Sequence, residues 1–135
     1  MSRRSRAREV ALQMLFEDDV NPRPSIEQTK EFLAARLHNR ELEEFCLSLI
    51  LGVRRNQGEL NDLLAKTADN WSLDRMAATD RNVLRLGAYE LLYTDTPGRA
   101  AINEAVELAK RYGSANSAPF VNGILDKFLK RQSDS

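Results

Sequence analysis

Residues 80–93, DRNVLRLGAYELLY, leave this chain the least choice of fold. From Val83 onward only Arg85 and Glu90 interrupt the apolar run. A helix that is apolar around most of its circumference must lie inside other helices, so the stretch predicts a central helix and an all-α body around it. Leu84, Leu91 and Leu92 are strong helix formers, and Asp80 offers an oxygen able to cap free backbone N–H groups. Gly87 sits mid-helix, where it costs about 1 kcal/mol relative to Ala. The compensation expected is the close approach of a neighbouring helix.

Composition narrows the function. A chain of 135 residues is expected to form one domain, residues 1–135, long enough to bury a core. The formal net charge is zero, so any hold on nucleic acid must come from local clusters of Arg and Lys. Cys46 has no second cysteine to pair with, and no signal segment or membrane span is evident, which points to the cytoplasm. His38 and Cys46 are too few soft ligands for zinc, and no Glu-x-x-His pair marks a di-iron bundle. Neither a metal nor a cofactor is expected.

In chain order, the opening MSRRSRAREVALQMLFEDD places Ala7, Val10, Ala11, Met14 and Leu15 at the spacing of one helical face. Arg3, Arg4, Arg6 and Arg8 crowd the start of that helix, where the macrodipole disfavours cations. Such a conflict with local stability fits a grip on phosphate over exposed backbone N–H groups better than a solvated tail. After the loop NPRPS, Ser25 and Gln28 form a capping box for a second helix with Ile26, Phe32, Leu33 and Leu37 as its core contacts. His38 and Asn39 break it. A third helix carries Leu42, Phe45, Cys46, Leu49, Ile50 and Val53. Gly52 and Gly58 bracket Arg54, Arg55 and Asn56, so a bend or end is expected there before Leu60, Leu63 and Leu64 resume the pattern. Trp71 and Ser72 read as a short connection, with Ser72 capping a turn.

Beyond the central helix, Pro97 and Gly98 turn the chain into a helix with a small-residue face of Ala101, Ile102, Ala105, Val106 and Ala109. Gly113 is expected to end it as a left-handed cap, and Ser117 begins a last helix whose first turn tolerates Pro119. Phe120, Val121, Ile124, Leu125, Phe128 and Leu129 line that helix, and the polar tail KRQSDS is expected to fray.

Four runs in the right order, RSRAREVALQMLF, DRNVLRLGAYELL, AAINEAVELAKRYGS and FVNGILDK, resemble the NusB family of transcription antitermination factors over nearly the whole chain. The resemblance implies an all-α, compact bundle of about seven helices in two packed subbundles. It implies no catalysis. It also implies binding of boxA-like single-stranded RNA together with NusE, a small-subunit ribosomal protein, within the RNA polymerase antitermination complex that supports ribosomal RNA transcription. Carried across residue by residue, the RNA surface falls on Arg4, Arg6 and Arg8, with Arg3 just outside the best-matching stretch, and on the region from Ser114 to Phe120. Phe120 fits both a base-stacking face and a core side chain. Asn116 fits a base-edge contact and an ordinary turn. Relatives often carry Lys where Pro119 stands, which removes one expected cation. Asp80 and Arg81 match a region placed near NusE and RNA, and equally fit capping and surface charge.

If all four arginines neutralised a phosphate, the salt slope on a single strand would be roughly −3, a modest and sequence-indifferent grip. Specific reading therefore calls for a second protein. Other readings fare worse. An adaptor in ribosomal RNA processing without antitermination activity is the alternative within the family. RNA cytosine methyltransferases carry such a domain at their amino end, but no Gly-rich cofactor loop or pair of catalytic cysteines occurs here. A DNA-binding helix-turn-helix around Gly113 to Asn116 would present Ala118, Pro119, Phe120 and Val121, which offer no base-edge donors. The family contains monomers and dimers, so a homodimer that covers the arginines stays open.

Overall fold

The computed structural model describes residues 3–69 and 71–134. Among them are six α-helices and one 3-10 turn: α1 (Arg3–Val20), α2 (Ile26–Leu37), α3 (Arg40–Thr67), the turn Leu73–Arg75, α4 (Ala78–Tyr93), α5 (Gly98–Tyr112) and α6 (Ser117–Ser133). No strand occurs among the described residues. The chain divides into two compact units, residues 1–55 and 56–135, with α3 contributing to both.

The helix count is one short of the seven expected because α3 does not break. Neither Gly52 nor Gly58 has a positive φ, and the buried positions Cys46, Leu49, Ile50, Val53, Leu60 and Leu64 keep helical spacing through the predicted interruption. Two expected segments are thus one helix of 28 residues. The tail also holds more helix than its polarity predicts, since α6 continues to Ser133; Ser135 lies outside the described residues, as do Met1 and Ser2.

In the first unit, Ser25 opens α2 with the predicted capping box: its hydroxyl accepts from the Gln28 N–H at 3.1 Å, and the Gln28 side chain accepts from the Ser25 N–H at 2.9 Å. His38 ends α2 in the left-handed region at φ 51°, and Asn39 then caps α3 by accepting from Leu42 N–H at 3.0 Å. Leu33 and Leu37 face the core, but Ile26 is 49% exposed because it is the first helical residue and the chain enters from solvent. The three helices are tied by one buried polar clamp. Arg54 donates to both carboxylate oxygens of Asp18, at 2.7 and 2.9 Å, and to the Thr29 hydroxyl at 3.2 Å. Cys46 on α3 is fully enclosed, and burial pushes its thiol up to about 12, which keeps it neutral and unreactive at physiological pH.

In the second unit α4 packs on α5 and α6, which also pack on each other. Residues 82–88 are all buried, including Arg85, and Glu90 is buried as well. The two charges that interrupt the apolar run are therefore inside and hydrogen-bonded, as buried polar groups must be. Arg85 donates to Asn61 at 2.8 Å and to Asn82 at 3.2 Å, and Glu90 accepts from the Thr96 hydroxyl at 3.3 Å. A Cβ on Gly87 would stand 2.7 Å from Leu125 and 3.3 Å from Ala105, so the glycine admits both α5 and α6.

Three local expectations are corrected. Helix α4 starts before Asp80, with Ala77 at the N-cap and no side-chain cap bond, so Asp80 sits in the first turn, where its charge still suits the dipole. Gly113 is extended (φ −95°), not left-handed; a side chain there would run into Ser117 and lie 2.8 Å from the Ala109 carbonyl oxygen. Ser72 precedes the 3-10 turn without a side-chain cap bond.

Two stability tests follow from these contacts. Arg54→Ala leaves the Asp18 carboxylate buried and unpaired, and unfolding in denaturant should show a loss of about 3–5 kcal/mol. Nothing lies within 4 Å of a Cβ at the exposed Gly58, so Gly58→Ala should add about 0.5–1 kcal/mol, whereas Gly87→Leu, which overfills a packed site, should lose about 1–3 kcal/mol.

Candidate nucleic-acid interface

Helix α1 begins in the sequence RRSRAR with no acid in its first turn. The arginines there add their charge to the positive end of the helix macrodipole. Arg3, Arg4 and Arg6 are exposed. The Arg4 guanidinium lies 4.3 Å from the centre of the Phe45 ring, a cation–π contact that supports the side chain while leaving it in solvent. Arg6 donates to Glu9 at 3.3 Å, and with the Arg6 side chain 44% exposed this pair adds little to stability.

Arg8 is different. It is 5% exposed, with its guanidinium 5.2 Å from the same Phe45 ring. The expectation of four arginines held in solvent is thus corrected to three. The reason is the helical period: Arg8, Leu12 and Leu15 stand at intervals of four and three, and all are buried. Phe45, read from sequence as a core residue, is half-buried and serves as the shelf under Arg4 and Arg8. No local signal could reveal this, since the partners are remote in the chain.

The remaining predicted residues lie in the second unit. Asn116 is the exposed N-cap residue of α6, makes no side-chain cap bond, and accepts from Phe120 N–H through its carbonyl at 3.3 Å. The turn before it is closed instead by the buried Ser117, whose hydroxyl accepts from Ser114 N–H at 2.9 Å. Phe120 is half-buried, and its ring meets Trp71 edge to face with centroids 5.3 Å apart. Trp71, which reads in the sequence as mere connection, is thereby part of the surroundings of a predicted site residue. At the start of α4, Arg81 donates to the carbonyls of Leu73 and Met76, each at 3.1 Å, and so fastens the 3-10 turn. One carboxylate oxygen of Asp80, Oδ1, is buried without a hydrogen-bond partner. Among the described residues no group of three His, Cys, Asp or Glu could hold a metal ion, and no helix is long and apolar enough to cross a membrane.

A family model described as the NusB family matches residues 5–130, from the arginine-rich start of α1 to the last turns of α6. The chain belongs to the NusB family. It is 45% identical over 127 residues to the transcription antitermination protein NusB of Anaeromyxobacter dehalogenans, covering 93% of this chain and 89% of that protein. Among solved structures it is similar to T. maritima NusB, with a TM-score of 0.86 and 39% identity over 96% of this chain and 92% of that one. It is also similar to a chain in the crystal structure of antitermination factors NusB and NusE in complex with dsRNA, with a TM-score of 0.85 and 30% identity over 97% and 98% of the two chains.

The NusB fold thus presents three of the arginines and uses the fourth as packing. Arg8→Ala should lower thermal stability by about 1–3 kcal/mol, because it removes a buried side chain and its partners' contacts. Arg3→Ala and Arg4→Ala, both on the surface, should stay within about 0.5 kcal/mol of the parent in the same melt.

Proposed function

We propose that this NusB-family chain is a non-catalytic transcription antitermination factor that holds boxA-like single-stranded RNA together with NusE in the RNA polymerase antitermination complex. The observation that carries the reading is the exposure of Arg3, Arg4 and Arg6 at the start of α1, without an acid in its first turn. Anions bind at such helix starts, and guanidinium groups suit phosphate by geometry as well as charge. The whole chain, residues 1–135, serves as one RNA-binding module in the cytoplasm, and Arg8 acts by steadying Phe45 beneath Arg4.

Asn116 and Phe120 are proposed as a further RNA contact at the start of α6, with Asn116 offering an amide to a base edge. Asp80 and Arg81 are proposed to lie on the NusE side. Support for a partner comes from magnitude. Three arginines on a single strand give a slope of log affinity against log salt of only roughly −2. So shallow an electrostatic grip carries no base sequence, which makes a second protein necessary for selective binding.

Titration of a short boxA-like RNA across a salt series, with and without NusE, tests this. Binding should be weak alone and tighter with NusE. The combined Arg3→Ala, Arg4→Ala, Arg6→Ala variant should retain its fold, lose most of the affinity and reduce the salt slope by roughly 2. Undiminished capture by that variant would sink the proposal.

A further inference from the structure

Trp71 is the only tryptophan in the chain and is 56% exposed, in the connection between α3 and the 3-10 turn. Its backbone is held, since its N–H donates to the Ala68 carbonyl at 2.8 Å. Its ring is held too, by Phe120 at an interplanar angle of 74°. A large aromatic fixed by backbone and neighbour, yet left more than half in water, is placed to receive something.

Its surroundings say what. The same two segments meet twice more along α6: Lys127 pairs with Asp69 at 2.7 Å, and Arg131 donates to the Lys66 carbonyl at 3.3 Å. Phe120, Lys127 and Arg131 follow one another at intervals of seven and four, so they share one face of α6. Lys127 and Arg131 thus gather near one carboxylate. The Asp69 carboxyl is held below its usual range, chiefly by the Lys127 ammonium and more weakly by Arg131, so it stays charged and the cluster remains net positive at neutral pH. The other large apolar side chains exposed among the described residues are Phe16, Val20, Ile26, Tyr93 and Tyr112. An exposed aromatic ring beside cations is the composition of a single-strand nucleic-acid surface.

We propose that the Trp71 indole, braced by Phe120, is a stacking platform for an unpaired RNA base, and that Lys127 and Arg131 take phosphates of the same strand. The seven residues from Phe120 to Lys127 span about 10 Å of helix. That is roughly three nucleotide steps at the spacing of a stacked strand. The inference rests on the RNA-binding reading and adds to it a named base-stacking residue with its own phosphate contacts.

Because Trp71 is alone, its emission reports on this site without any variant. The full chain is titrated with a short single-stranded boxA-like RNA, and with the same strand annealed to its complement; anisotropy of a labelled copy follows binding and tryptophan emission follows stacking. Emission should fall in step with anisotropy for the single strand and not for the duplex, whose base faces are covered. Trp71→Ala should weaken single-strand binding about tenfold, Trp71→Phe should recover most of it, and Lys127→Ala should reduce the salt slope by roughly 0.7. RNA bound with unchanged emission and unchanged Trp71→Ala affinity would overturn the stacking role and leave the RNA-binding reading standing. Equal quenching by the duplex, or an emission change caused by NusE and indifferent to RNA, would overturn it likewise. If neither RNA moves the anisotropy even with NusE present, the RNA-binding reading itself fails, and this inference with it.

Discussion

The first unit depends on the fork between Arg54 and Asp18. Both side chains are almost fully enclosed, and a charge in that position is tolerable only with its partner in good geometry. The two carboxylate bonds and the third bond to Thr29 join α3 to the last turn of α1 and to α2. Asp18 lies near the C-terminal end of α1, so the fork anchors the end of the helix opposite the arginines. At the other end, Phe45 plays the matching part through its ring, over which the Arg4 and Arg8 guanidinium groups lie. Helix α1 is therefore pinned at both ends by α3, and what it presents at its start is held by packing rather than by the unfavourable dipole interaction its cations make.

The second unit solves a different problem with the same means. Helix α4 is enclosed by α5 and α6, which requires one residue without a side chain and two polar side chains with partners. Gly87 supplies the first, and Arg85 and Glu90 are satisfied by Asn61, Asn82 and Thr96. With α6 thus seated, its first turn holds Phe120 against Trp71, and its later turns bring Lys127 and Arg131 to the end of α3. The polar links are exposed and individually weak. The aromatic contact and the buried core of α6 carry the arrangement.

Much of this was legible in the residues themselves. Periodicity is a local property, so the all-helical class, the central place of residues 80–93, the capping box at Ser25 and the close approach at Gly87 could all be read from spacing and side-chain size. The arginine cluster was also legible, because charge at the wrong end of a helix conflicts with local stability and such conflicts mark function. The motifs that resemble the NusB family spanned most of the chain, and the family match over residues 5–130 agrees with them.

The rest was decided by tertiary contact. Gly52 and Gly58 look like breakers, yet the core on either side keeps one register and the helix runs on. Gly113 looks like a left-handed cap, yet it is glycine because Ser117 comes close. Arg8 reads as a fourth free cation, but the face it shares with Leu12 and Leu15 turns inward. Arg54 and Asp18 are 36 residues apart, and Trp71 reaches Phe120 across the whole of α4 and α5, so neither pairing leaves a trace in any local window. Sequence alone determines what depends on the helical period and on the chemistry of each side chain. Which charges stay in water, and which aromatic is left facing it, depends on partners that only folding brings within a few ångströms.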